Sequence, residues 1–443
     1  MARAKVLSLQ GVRHNSGRCP WRMEFQVDDT AVSAFFRPPK EIAERMGHHK
    51  ASLVALPILC DLAAEVRPKE VTVPEGCGMP SFHQVFNDAV GALLADQDAY
   101  WNRTRFTQMP KLLGKFARWK YEKRCLDPKR VVLGFSGGKD SIVSLFAFLK
   151  AGYDVHPVLL NEGDRTWQDI RGWIPKLRRH GLQPMVAYLS SGYRNKLQEL
   201  YGDWHYSSYQ LGWVVATLAL CATEIGAGVI CLGIETSAEN SFVTFRGRRI
   251  NHQYQKTTKH LKRLERFYQR VLNPGLRIGS PIAHATDTEV LKVLLEQVPE
   301  NFQEFSSCGA SNWRSKHCGR CEKCAFVYAL LSESANGRLL AERIFRQNLL
   351  EDVELYRPWI DARFRILQAC IGSRREVWKA FEALLEAGSE KAVVQKWRES
   401  QLRRQAYLTK SAPGSRGTAK QTAYSLSLTV ADAAALVQRW IGG

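Results

Sequence analysis

Between residues 130 and 235 short apolar runs alternate with longer stretches of mixed character. Val131–Phe135, Val155–Leu160, Pro184–Leu189 and Val229–Gly233 are too short for helices, and their apolar density suits strands buried on both faces. Ser141–Leu149, Trp167–His180 and Tyr209–Ile225 carry helical periodicity between them. This alternation predicts an α/β domain built on a parallel sheet. The most membrane-like stretch, Trp213 to Ile234, is interrupted by Glu224, Gly226 and Gly228. A spanning helix needs about 20 apolar residues without a central carboxylate, so this stretch reads as a buried helix followed by a strand, and no membrane partner is expected.

The flanks follow other patterns. Trp21 to Phe36 alternates as short strands with Asp28-Asp29 as a turn, and Ala51–Val66 and Phe82–Leu94 are apolar-periodic helices. Lys111 to Arg124 is a basic amphipathic run. After Cys324 the chain turns helical, through Phe326–Ser334, Val377–Glu386 and Glu390–Gln405. Thr409 to Thr422 is rich in Lys, Ser, Gly and Thr, the composition of a flexible linker, and Val430–Ile441 fits a terminal helix. The expected division is an N-terminal α+β region (1–125), the α/β domain (126–335), a helical C-terminal region (336–408) and the linker with its last helix (409–443). One helix stands out. From Lys256 to Arg270, Leu261, Leu264, Phe267 and Tyr268 share a side, while Lys259, Lys262, Arg263, Arg266 and Arg270 cover the rest. That pattern suits either a solvated basic face or a seat for a diphosphate or an RNA backbone.

Charge sharpens the choice of partner. Sixty-three Lys and Arg against 43 Asp and Glu leave +20 on 443 residues, which favours anionic partners: a phosphate-rich small molecule or peptide, or nucleic acid. Met1 to Val12 holds no continuous apolar core of a secretory signal, and eleven cysteines are an odd number for a disulfide framework. Both point to a cytoplasmic protein with reduced thiols. Seven cysteines are scattered and read as small buried apolar residues; Cys221 and Cys231, in apolar surroundings, are poor candidates for a persulfide carrier.

The strongest chemical signal is Ser136-Gly137-Gly138-Lys139-Asp140-Ser141, set between the strand Val131–Phe135 and the helix that begins near Ile142. The glycines let the backbone approach an anion closely, and the free amides and dipole of the helix start favour negative charge. Ser136 and Ser141 add hydroxyl donors, Lys139 neutralises phosphate, and the carboxylate of Asp140 suits Mg²⁺. The spacing is not that of a Walker loop. It resembles the SGGxDS loop of the PP-loop superfamily. That resemblance implies binding of ATP with Mg²⁺ and its cleavage to AMP and pyrophosphate, activating an oxygen of the substrate.

Cys308, Cys318, Cys321 and Cys324 form Cys-x9-Cys-x2-Cys-x2-Cys, with Gly319 and Arg320 in the first short gap. Four thiolates close a tetrahedral site, so a structural Zn²⁺ is favoured over a catalytic one, with an iron–sulfur cluster or unbound buried thiols as the alternatives. The spacing resembles the zinc knuckle of the 7-cyano-7-deazaguanine synthase (QueC) family.

A further series runs in order along the chain: Gly233-Ile234-Glu235-Thr236-Ser237-Ala238-Glu239-Asn240, Asn251-His252-Gln253-Tyr254-Gln255-Lys256, Asn348-Leu349-Leu350, and Cys370-Ile371-Gly372 ahead of Glu376-Val377. From Val131 to Leu385 it resembles the UDP-N-acetylmuramoyl-L-alanyl-L-glutamate epimerase (MurL) family. This likeness implies adenylation of a carboxylate followed by epimerisation at the adjacent carbon, in peptidoglycan biosynthesis. His252, able to titrate near neutrality, is then the candidate base, with Glu235 and Glu239 as alternative bases or Mg²⁺ ligands. The competing classes are a QueC-like deazaguanine synthase or a defence-associated relative of it, and a tRNA-modifying PP-loop enzyme.

Overall fold

The computed structural model describes residues 6–14, 21–73, 81–114, 124–162, 166–190, 210–240, 242–307, 317–361 and 372–403, with residues 193, 196 and 199 besides. Cys308, Cys370 and the segment 409–443, with its expected linker and Val430–Ile441 helix, lie outside them.

The α/β expectation holds. Strands β6 (Asp127–Gly134), β7 (Asp154–Asn161), β8 (Met185–Leu189), β9 (Ala227–Leu232) and β12 (Arg277–Gly279) run parallel in the order β12-β9-β6-β7-β8. All six residues of β9 are buried, as a strand covered on both faces requires. The preceding helix Gln210–Ile225 is buried over most of its length, so the membrane-like stretch is core. No helix among the described residues is long and apolar enough to cross a membrane.

The sheet does not stop at β8. β1 (Val6–His14), β2 (Trp21–Val27) and β3 (Thr30–Arg37) form an antiparallel meander, and Phe36 and Arg37 of β3 pair antiparallel with Leu189 and Tyr188 of β8. β4 (Glu70–Thr72) and β5 (Lys111–Leu113) extend the far edge, giving ten strands in one sheet. The β2–β3 turn falls at Asp28-Asp29, where Asp28 takes a positive φ of 48°. The helix His48–Val66 packs across this half with fifteen buried residues, which identifies it as a core helix.

The single helix expected over Trp167–His180 is two, Thr166–Arg171 and Trp173–Arg179. Pro175 lacks the N–H that would bond back to Arg171, and its ring opposes that carbonyl. Helices Asp287–Gln297, Glu322–Ser332, Ala335–Phe345, Arg374–Glu386 and Ala392–Glu399 share a second core with the outer face of β6 and β9.

Candidate functional site

The chain leaves β6 toward β7 and β8 on one side and returns to β9 on the other. The carboxyl ends of β6 and β9 therefore flank a topological switch point, where open α/β sheets form their ligand crevices.

The loop Ser136–Ser141 lies at the end of β6. Gly137 has φ +72°, and a Cβ there would collide with the indole of the buried Trp173. Gly138 is the N-cap of the helix Lys139–Lys150. The loop is braced internally: Gly138 N donates to Ser136 Oγ at 3.3 Å, and Ser141 Oγ donates to the Gly138 carbonyl at 2.9 Å. It is also braced from outside, where Ser306 N donates to the Gly137 carbonyl at 3.0 Å.

Lys139 opens this helix and is only 7% exposed. Its ammonium lies 2.5 Å from Asp140 Oδ1 and 2.5 Å from Asp287 Oδ1. Burial works against the lysine charge, but Asp140, Asp287 and Glu235 outweigh it and raise its pKa. Asp287 stands in the first turn of Asp287–Gln297, a helix closed by a Thr286/Glu289 capping box. Glu235 follows β9, and its carboxylate accepts from the backbone N and the hydroxyl of Ser237. Burial, with Asp287 and Asp140 adding to it, pushes Glu235 up to about 7 against the opposing pull of Lys139.

A fourth carboxylate comes from the C-terminal region. Glu376 caps its own helix through Ser373, and it also accepts from Thr288 N at 3.2 Å, one residue beyond Asp287. Burial raises its pKa, and Asp287 raises it further. Gly372 makes this approach feasible, because a Cβ there would stand 2.6 Å from Asp287 Oδ2. In the sequence Asp287 carries no motif, and Glu376 belongs only to the series that resembles MurL, with no role at this loop. Each sits in a capping box that the residues Thr286-x-x-Glu289 and Ser373-x-x-Glu376 spell out, but nothing local says that the two helix starts meet.

Beside this cluster opens a cavity of about 430 Å³, whose walls include Glu235, Glu239, Lys256, Lys262, Ser280 and His284. Glu235 thus faces both the lysine–carboxylate cluster and the cavity. Glu239 also accepts from Thr258 N at 2.5 Å, at the start of the basic helix Thr258–Val271. On that helix Leu261, Leu264, Phe267 and Tyr268 are buried, Lys259, Lys262, Arg266 and Arg270 are exposed, and Arg263 pairs with Asp88.

His252 stands apart from the glycine loop. Its Nδ1 is 2.8 Å from Asp96 Oδ2, in a pocket of about 10 Å³, room for one water, with Asn251, Tyr254 and Gln255. The short turn Tyr254–Lys256 runs between this pocket and the larger cavity, supplying Tyr254 to one and Lys256 to the other. Asn251 ties the two together by donating to the Ala238 carbonyl at 2.8 Å.

Three of the four motif cysteines converge. The sulfurs of Cys318, Cys321 and Cys324 all lie within 4.8 Å of one another. Cys321 is the N-cap of Glu322–Ser332 and Cys324 is in its first turn, where the helix dipole favours thiolates; Arg320 N donates to Cys318 Sγ at 3.4 Å. Three thiols at this spacing fit a metal of the Zn²⁺ type, and the motif's fourth cysteine, Cys308, lies outside the described residues. Buried Cys221 and Cys231 carry thiols that burial pushes up, away from reactive thiolates.

Fold and site together define an α/β protein with a glycine-rich loop at a helix start and a lysine–carboxylate cluster at the switch point of its sheet. Comparison with known proteins narrows this. The family model for the MurL C-terminal domain matches residues 301–411, the stretch that holds the cysteine cluster and Glu376. The UDP-N-acetyl-alpha-D-muramoyl-L-alanyl-L-glutamate epimerase of a Micromonospora species is 24% identical over 281 residues, covering 60% of this chain. The match spans 59% of the length of that curated relative.

Proposed function

We propose that this chain is an ATP-dependent epimerase of the MurL type, acting on a terminal L-glutamate of a muramoyl peptide or a related peptide. The observation that carries the reading is Glu235, which lines the 430 Å³ cavity and at the same time faces the Lys139–Asp140–Asp287 cluster of the glycine loop. A carboxylate substrate in the cavity would lie beside the place where the loop can hold phosphates.

In this reading Ser136, Gly137, Gly138, Lys139 and Ser141 cradle the phosphates of ATP as a PP-loop does. Asp140 and Asp287 would hold Mg²⁺, which would offset negative charge on the phosphates as pyrophosphate leaves. The substrate carboxylate attacks the α-phosphorus, pyrophosphate leaves, and the carboxyl becomes a mixed anhydride with AMP. The reason for this step is electrostatic. A free carboxylate resists loss of the neighbouring Cα proton because the two negative charges oppose each other, and the anhydride carries no charge on its carbonyl.

Epimerisation needs a proton removed from one face and delivered to the other. His252, its ring held by Asp96, is one proton carrier, and Glu235, poised near neutrality, is the other. Hydrolysis of the anhydride then releases the epimer and AMP. Cys318, Cys321 and Cys324, with Cys308 as the fourth ligand of the motif, would hold a structural Zn²⁺ that closes a tetrahedral thiolate site.

The test is incubation with ATP, Mg²⁺ and candidate carboxylates, following AMP and pyrophosphate by mass spectrometry. Asp140→Ala should abolish AMP formation, and normal turnover in that variant would remove Asp140 from the mechanism.

A further inference from the structure

The relative's substrate is named with a nucleoside diphosphate at one end and glutamate at the other, with a sugar and an alanyl residue between them. A molecule of that length bound at the cavity extends well beyond it, and its nucleotide end needs a seat of its own. The surface next to the cavity has the chemistry of such a seat.

The chain leaves the cavity at Glu239 and returns to it at Lys256. Between them it forms a two-stranded ribbon, β10 (Phe242–Phe245) and β11 (Arg248–Asn251). Arg246 and Gly247 turn it with φ of 48° and 74°, the pair of positive values that a tight two-residue hairpin requires. Arg246, Arg248 and Arg249 are all exposed on it. The ribbon is anchored. Phe245 meets Phe106 edge-on at 5.6 Å, Arg248 lies over the Phe106 ring at 4.5 Å, and Arg246 Nε donates to the Arg103 carbonyl at 2.7 Å.

Those anchors belong to the loop that follows the helix Phe82–Tyr100, and that loop is held from inside. Asp98, fully buried, accepts from Thr107 N at 2.6 Å and from Thr107 Oγ1 at 2.8 Å, and pairs with Arg103 at 3.4 Å. On its outer side Tyr100 and Trp101 stand 52% and 42% exposed, edge to face at 5.2 Å. Tyr100 is one helical turn, about 6 Å, beyond Asp96, the partner of His252. Arg248 is four residues, about 13 Å of strand, before His252. From the cavity, the His252–Asp96 pair leads outward to two exposed aromatics and three exposed guanidinium groups on rigid supports.

We infer that the Arg246–Arg249 ribbon and the Tyr100–Trp101 pair form a binding site for a nucleoside diphosphate, the far end of the substrate held at the cavity. Guanidinium groups match phosphate oxygens in pairs, and an exposed aromatic pair offers a face to a nucleobase. The basic balance of the whole chain, +20, draws such an anion in. The identity of the ligand as a substrate end rests on the epimerase reading; the site itself does not.

The experiment is a calorimetric titration of the full chain with UDP, in the presence of a saturating non-hydrolysable ATP analogue that occupies the glycine loop. The double variant Arg246→Ala/Arg248→Ala should weaken UDP at least tenfold, and Trp101→Ala about tenfold, with melting temperatures checked alongside. On the unaltered protein a photoreactive 5-azido-UDP should label a peptide from 100–106 or 242–251. Unchanged UDP affinity in both variants, or label confined to other peptides, overturns the site. So does a single-stranded oligonucleotide that binds this surface without competition from UDP, which would assign it to nucleic acid. The two levels separate cleanly. UDP binding here without any epimerisation removes the reaction and keeps the site, while epimerisation with UDP affinity indifferent to both variants removes the site and keeps the reaction.

Discussion

Replacing Lys139 by methionine is the sharpest probe of the carboxylate cluster. The substitution keeps most of the side-chain volume and removes the cation set between Asp140 and Asp287. Each pair at 2.5 Å corresponds to roughly 7 kcal/mol of attraction at an effective dielectric of about 20, most of it offset by the cost of burying the ions. Breaking a buried pair by removing one partner costs about 3–5 kcal/mol, because the other charge is left uncompensated. Here Asp140, Asp287 and Glu235 are all left, so we expect the upper part of that range and a fall in Tm on the order of 5 °C for a chain of this length.

The lysine itself does not set the pH dependence. Its raised pKa means its contribution is complete below the ordinary lysine value of about 10.4 and lost only above it. Glu235 sets it, because its pKa is raised to about 7. As pH falls Glu235 protonates and no longer needs the cation, so the deficit of the variant should narrow between pH 8 and pH 5. Mg²⁺ should narrow it at fixed pH 8 by standing in for the ammonium. Differential scanning calorimetry at pH 5, 6.5 and 8, with and without Mg²⁺, reads all three effects. A variant as stable as the native chain at pH 8 without Mg²⁺, or a deficit indifferent to pH, would refute the cluster as an electrostatic unit.

Two further outcomes follow from the same geometry. Glu235 has its pKa raised to about 7 from the ordinary carboxylate range, so the folded chain holds its proton more tightly than the unfolded one. Without Mg²⁺ its contribution to stability is complete below about pH 4.5 and declines as pH rises to about 7; Glu235→Gln should flatten that part of the Tm–pH curve, and an unchanged slope would count against a protonated Glu235. The purified chain should carry about one Zn²⁺, and Cys321→Ser should lower both the metal content and Tm, since a closed thiolate site contributes mainly folding energy. Metal-free protein with an undiminished Tm would remove the metal from the account.

The local strand–turn–helix from Val131 to Lys150 was legible because everything that makes it is sequential: a doubly buried strand, two glycines, and a helix start carrying Lys139 and Asp140. The helix over 258–271 was legible for the same kind of reason, its apolar side repeating at helical spacing. What escaped depends on contacts between distant segments. The single sheet exists because β3 meets β8 through two residue pairs more than 150 positions apart, and neither strand announces its partner. Asp287 and Glu376 looked like ordinary helix-start acids, and only packing brings both to Lys139's neighbourhood. The Phe242–Asn251 ribbon was missed because its positive-φ turn is Arg-Gly, without the Asn or Asp that usually marks such a turn.

The central claim is that adenylation makes a glutamyl Cα proton removable at the site between the glycine loop and the cavity. Its most direct measurement is deuterium incorporation from D₂O into the UDP-linked muramoyl dipeptide, followed by mass spectrometry alongside AMP release. The account predicts deuterium at the terminal glutamate Cα only when ATP and Mg²⁺ are present, with AMP appearing in step. His252→Ala should slow the deuterium uptake more than the AMP. AMP release with no deuterium in any glutamyl peptide, or deuterium uptake that ignores ATP, would contradict it.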